Sequence, residues 1–241
     1  MRNNKKSILL IVVLTGTLFG AACASTAWQD VLRGAAPLTN TEVIAGLKQA
    51  LEIGTDNAAG LASRVNGYYG NPLIRIPFPE EAEIVKTTME KIGFKSQIDK
   101  FVKTMNRAAE EAAKKAAPIF IDAIKQMTIK DGFQILNGPD DAATQYLDRK
   151  THSKLFVAFR PVVQDAIEKV GVTSVWKPII TEYNQLPFVD KKNPNLEDYI
   201  TDRAIGGLFV LLADEEKNIR EDPAARVTEL LRRVFGGTPQ S

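Results

Sequence analysis

The residue types able to do chemistry in this 241-residue chain are few and scattered. His152 is the only histidine, so a catalytic triad or a di-iron helix bundle with two Glu-x-x-His elements would have to rest on that one side chain. It follows Thr151 directly, which suggests the first turn of a helix and a solvated imidazole. No Ser-x-x-Lys, nucleophile elbow, glycine-rich phosphate loop or zinc-ligand spacing accompanies it. The expectation is therefore no assignable catalytic residue, no metal site and no cofactor.

Polar groups on apolar faces are the next candidates. Asn106 and Glu110 stand four apart and flank an apolar seam, so one of them is expected half-buried and in need of a partner such as Arg203, Asp141, Thr144 or Tyr146. Arg107 faces Glu111 at the same spacing, as an ordinary surface pair. Asn106, Arg107, Glu110, Asp141, Thr144 and Tyr146 thus form a candidate polar cluster, either a structural network or a ligand site. Asp140-Asp141 and Glu215-Glu216 put acids near helix ends, but adjacent residues on a helix point about 100° apart, which is poor geometry for sharing a proton. Asp140 and Asp141 read as caps, and Glu216 as a solvated acid reaching Arg220. Gly206-Gly207 lies inside an apolar helical stripe at a cost of roughly 1 kcal/mol per glycine. Either a close crossing over the alanines from Ala108 to Ala116 or a groove for an apolar ligand would offset it.

The remaining chemistry lies at the N-terminus. Arg2, Lys5 and Lys6 precede an apolar run from Ile8 to Phe19 and the small residues Gly20-Ala21-Ala22, the pattern of an export signal. The run is shorter than the roughly 20 residues that span a bilayer. Cys23, the only cysteine, falls where a lipoprotein leader places its acylated residue. The competing reading is an ordinary cleavage site at Ala22-Cys23-Ala24, with Gly20 where a lipobox usually carries Leu. In either case no disulfide forms within the mature chain. Removal of residues 1–22 lowers Lys+Arg from 31 to 28 against 29 Asp+Glu, so the mature charge is near −1. No long basic run remains to follow a nucleic acid or an anionic membrane surface.

The elements that position these residues read as helices. Apolar content of 44% suffices for a core, and few aromatics with many alanines favour close helix packing. Thr39 with Glu42 has capping-box spacing ahead of a stripe from Val43 to Val65. Leu73 to Pro79 cannot be helical, because Pro77 and Pro79 push their predecessors into extended conformations. Pro79 opens a second helix that Gly93 ends. A longer run starts at Ser96, boxed with Asp99, and Pro118 should kink or split it. Thr128 with Asp131 caps the next segment, Asp140 or Asp141 opens another, and Thr151 begins one that contains Pro161. A helix from about Ser174 to Gln185 precedes a second extended stretch, Leu186 to Val189. The stripe from Leu196 to Leu212 follows, and Asp222-Pro223 starts the last helix. The expected fold is all-α: one domain of about eight helices with two short extended Pro-containing crossings. Its boundaries are 1–22 signal peptide, 23–37 flexible tether, 38–236 helical domain and 237–241 disordered tail. Pro118 to Lys125 and Pro161 to Glu168 echo one another, either as a repeat or as two similar amphipathic helices.

Several motifs together resemble a known family. They are Asn106-Arg107-Ala108-Ala109-Glu110, Met127-Thr128, Asn137-Gly138-Pro139-Asp140-Asp141, Gly206-Gly207, Glu215-Glu216, Arg220 to Arg226 and Val234-Phe235-Gly236. From about Leu38 to Gly236 the chain resembles the domain of unknown function 4197 family of exported bacterial proteins. The resemblance implies a signal or lipoprotein leader and one helical domain, and it carries no activity, substrate or catalytic residue. Phe78 stands where that family usually has Leu. The functional expectation is a non-enzymatic periplasmic envelope protein that binds or scaffolds a partner protein or an apolar ligand, tethered to a membrane if Cys23 is acylated. The alternative is a carboxylate-dependent hydrolase acting on envelope material, which requires two carboxyls facing each other at about 5 to 10 Å.

Overall fold

A computed structural model describes residues 38–236 except 92, 170–180, 182–183, 186, 188–190 and 192–194. Most of the expected helix near Ser174 to Gln185 and nearly all of the Leu186 to Val189 stretch, together with the leader, tether and tail, lie outside these residues. Every regular element among them is helical. In chain order the α-helices are α1 (Asn40–Ser63), α2 (Glu83–Lys91), α3 (Lys95–Ala113), α4 (Ala116–Lys125), α5 (Ile129–Leu136), α6 (Ala142–Glu168), α7 (Leu196–Glu221) and α8 (Glu229–Gly236). Short 3-10 turns at Glu80–Ala82 and Pro223–Ala225 join two of them. No helix among the described residues is long and apolar enough to cross a membrane.

Two helix starts follow the local chemistry of the sequence. The Thr39 hydroxyl accepts from Glu42 N while the Glu42 carboxylate accepts from Thr39 N, and Thr128 and Asp131 do the same for α5. Other boundaries differ from expectation. Ser96 and Asp99 form no box: α3 starts at Lys95 after Phe94, and Asp99 pairs with Lys95 instead. Thr151 starts no helix, since α6 runs unbroken from Ala142 through Pro161; its hydroxyl donates to Leu147 O at 2.6 Å, which satisfies it inside a helix. His152 therefore sits mid-helix. Asp222 caps only the Pro223–Ala225 turn, and Thr228 Oγ1 accepts from Leu231 N at the start of α8. Pro79 precedes a 3-10 turn rather than entering a helix.

Pro118 does mark a split, with α3 ending at Ala113 and α4 beginning at Ala116. Pro161, by contrast, lies within α6. The two echoing segments occupy different places in their helices, so they are not copies of one repeat unit.

The core lies where α3, α6 and α7 meet, and α1 packs against α3, α4 and α7. Met105, Ala109 and Ala112 of α3, Leu155, Phe159 and Val163 of α6, and Leu208 of α7 are fully buried. Phe120 meets Phe209 edge-on at 5.7 Å between centroids. Between α1 and the first 3-10 turn the chain crosses the bundle through successive hydrogen-bonded turns as far as Ile74, so of the expected extended stretch from Leu73 to Pro79 only Arg75 to Pro79 is free of turns. Ile74 and Ile76 insert into the core, and Phe78 packs edge-on against Phe101 at 5.4 Å. The apolar stripe of α1 stops before Val65, which is 76% exposed.

Candidate functional site

Asn106 and Glu110 point from α3 at the crossing segment. The Asn106 side-chain oxygen accepts from Ile76 N at 2.8 Å, and its amide nitrogen donates to Ile76 O and Val102 O, both at 2.8 Å. One turn along, Glu110 Oε1 accepts from Tyr68 N at 3.2 Å and Tyr69 N at 3.1 Å. Its other oxygen pairs with Arg107, whose second amino group donates to Asn66 Oδ1 at 2.7 Å. Asn66 has a φ of 67°, the left-handed region that Asn tolerates better than most residues. The expected partners Arg203, Asp141, Thr144 and Tyr146 take no part: backbone of the crossing segment fills these bonds. Arg107 answers Glu110, not Glu111, which pairs with Lys114.

Tyr68 completes this first anchor. Its hydroxyl donates to Ala204 O at 2.5 Å across the bundle. Burial, with the nearby Glu110 charge as the smaller cause, pushes the phenol well above its ordinary range, so it remains a donor. The ring lies on Gly207, where an added Cβ would come within 2.8 Å of Tyr68 Cε1 and 3.0 Å of Ile74 Cβ. The crossing segment, not the alanine face of α3, is what Gly207 admits.

A second buried carboxylate, Glu216 of α7, is 7% exposed and so not the solvated acid its neighbour suggested. It accepts from Ala143 N at 3.0 Å, Thr144 N at 2.8 Å and Thr144 Oγ1 at 2.9 Å, and so caps α6 from another helix. Arg220 grips it from the far side through Nε at 3.1 Å and Nη2 at 2.8 Å, and also donates to Ile135 O. Arg226 then donates to the carbonyls of Ile219 and Arg220. Asp141 is exposed and makes no side-chain cap for α6; it accepts only from Gln145.

The six candidate residues thus separate. Asn106, Arg107 and Glu110 hold the crossing segment, Thr144 belongs with Glu216, Asp141 faces solvent, and Tyr146 is a buried core residue under Lys150. Sequence reading missed Glu216 as a buried group, although a signal was present: Leu212 four residues before and Ile219 three after place it on the apolar stripe of α7. His152, half-exposed, pairs with Asp148 at 2.8 Å and stacks beside Phe209. Among the described residues no three His, Cys, Asp or Glu side chains are grouped to hold a metal ion.

Beside Glu216 and Arg220 lies a narrow apolar crevice of about 20 Å³, room for a single water-sized group, walled by Leu47, Leu51, Leu212, Ile219 and Phe235. The sequence pattern described as "Protein of unknown function (DUF4197)" matches residues 37–236. The chain belongs to that family. No curated protein and no solved structure matches it. The stretches through which the chain resembles DUF4197 contain both anchors: Asn106 to Glu110 with Gly207 in one, Glu216 and Arg220 to Arg226 in the other. In this DUF4197 chain the lone pairs of both buried carboxylates are directed at backbone N–H groups and guanidinium groups, which fixes loops and helix ends rather than presenting a base to a substrate.

Proposed function

We propose that this protein is an exported, non-enzymatic helical envelope protein that binds an apolar ligand or a partner protein and is held at a membrane through acylated Cys23. One observation carries the binding part. The two carboxylates best placed for chemistry, Glu110 and Glu216, are both engaged by backbone and arginine, while the narrow crevice next to Glu216 is walled largely by apolar side chains, which must part to seat a ligand. A hydrolase would need a carboxyl pair free to face a glycosidic or similar bond, so it has less support. The anchor reading rests on the position of Cys23 behind an apolar leader and small residues.

The test is native mass spectrometry of the protein purified gently from its own envelope, with the mass of the mature N-terminus read in the same spectra. The expected result is a diacylglyceryl-modified N-terminus at Cys23 and a co-purifying lipid or protein. An unmodified N-terminus at Ser25 or later defeats the anchor, and a clean apo monomer defeats the binding role.

A further inference from the structure

On the solvent side of Arg107, α3 and α6 leave an open groove of about 1200 Å³, counting its solvent mouth. Lys100, Lys103 and Arg107 line its α3 wall at spacings that put all three on one helix face. On the α6 side every lining residue, from Val162 to Lys169, lies just after Pro161. Pro161 leaves the Val157 carbonyl without its helical N–H donor, although α6 continues through it, and the groove lies on the C-terminal side of that missing bond.

The charges in the groove are unbalanced. Arg107 is matched by Glu110, and Glu111 by Lys114. Among the described residues Lys100, Lys103 and Lys169 form no ion pair, which leaves three ammonium groups against Asp165 alone. Arg75 extends the positive side past Arg107, since both guanidiniums lie over the Tyr69 ring, at 4.5 and 6.0 Å from its centroid. This concentration occurs in a chain whose formal net charge is only +2 with its leader included. Between the cations the wall is made by Val162, Ala166 and the nearly buried Ala108, with Thr104, whose hydroxyl donates back to Lys100 O.

We propose that this groove binds an anionic phospholipid, with the phosphate among the Lys100, Lys103 and Lys169 ammoniums and the first acyl carbons over Ala108, Val162 and Ala166. Mobile lysine point charges suit a phosphate oxygen cluster, and methyl-bearing side chains suit hydrocarbon. A peptide would bring backbone N–H and C=O groups against those methyl groups, where they find few partners. The groove is separate from the crevice beside Glu216, so charge reversal at Lys100 and Lys103 tests it without altering that crevice.

Calorimetric titration of the processed full-length protein decides it, using dihexanoyl phosphatidylglycerol, dihexanoyl phosphatidylcholine, inorganic phosphate and hexaglutamate as four separate probes. Phosphatidylglycerol should bind at least about tenfold tighter than each of the others, and the Lys100→Glu/Lys103→Glu variant should lose about that factor. Both lysines are exposed, so this variant should keep its helical circular dichroism; if it does not fold, Lys169→Glu serves the same purpose. Equal binding of phosphatidylcholine removes the role of charge, and equal binding of inorganic phosphate removes that of the apolar wall. Hexaglutamate binding as tightly makes the occupant an acidic protein segment. Any of these, or an affinity that survives charge reversal, overturns the proposal.

Discussion

A methyl group added at Gly207 would sit 2.8 Å from Tyr68 Cε1, whereas one added at Gly206 meets nothing within 4 Å. Both glycines interrupt the same helix, and the two substitutions should move stability in opposite directions. Gly207→Ala forces a fully buried ring or the Ile74 side chain aside and should lower stability by about 1–3 kcal/mol. Gly206→Ala removes a helix penalty without a clash and should raise it by up to about 1 kcal/mol. Urea midpoints of the two variants check this; a Gly207→Ala protein as stable as the parent would show that the crossing segment does not press on α7. The pairing in sequence hid this division of labour, because helical spacing says which face a glycine is on but not what lies against that face.

At the scale of the element, α6 begins on a carboxylate that belongs to α7. Glu216→Ala should leave the first turn of α6 uncapped and Arg220 without its acid, at a cost of about 3 kcal/mol. Glu215→Ala, which loses only the exposed bond from Asn57, should stay within about 0.5 kcal/mol of the parent. Equal effects in the two chemical-denaturation curves would contradict the capping role. The contrast also explains what could be read in advance. Thr39 with Glu42 and Thr128 with Asp131 were legible because both partners lie three residues apart and the box needs no tertiary structure. Glu216 and Ala143 are separated by 73 positions, and Glu110 and Tyr68 by 42, so topology alone decides that they meet. Thr151 misled for a related reason: its hydroxyl can cap a helix or donate back within one, and only the continuous packing of α6 selects the second. Of the site, Asn106, Arg107 and Glu110 were legible as a group, but what Asn106 and Glu110 hold across the fold are peptide groups, which carry no sequence signature.

Across the whole molecule, several carboxylates cap helices or join them in their charged form. The Thr39 backbone N–H, with its hydroxyl, holds Glu42 below the usual range; the Thr128 hydroxyl and backbone do so for Asp131; the Lys154 ammonium does so for Asp122, joining α4 to α6. A folded-state value below the unfolded one means that each contribution is complete above the ordinary carboxylate range near about 4 and is lost as pH falls through the lowered folded value. The urea midpoint should therefore be flat from neutral pH down to about 5 and decline below about 4. In a Thr39→Ala/Thr128→Ala variant the decline should be shallower, and an unchanged slope would show that the boxes do not set it.

The Asn106 amide offers Ile76 one acceptor and one donor, as a neighbouring strand would, and it donates to Val102 O as well. Spontaneous deamidation there would keep the acceptor but replace the donor with a negative oxygen facing two carbonyls. Chemical ageing at this one position would thus undo, from inside, the seam that fastens the crossing segment to the bundle.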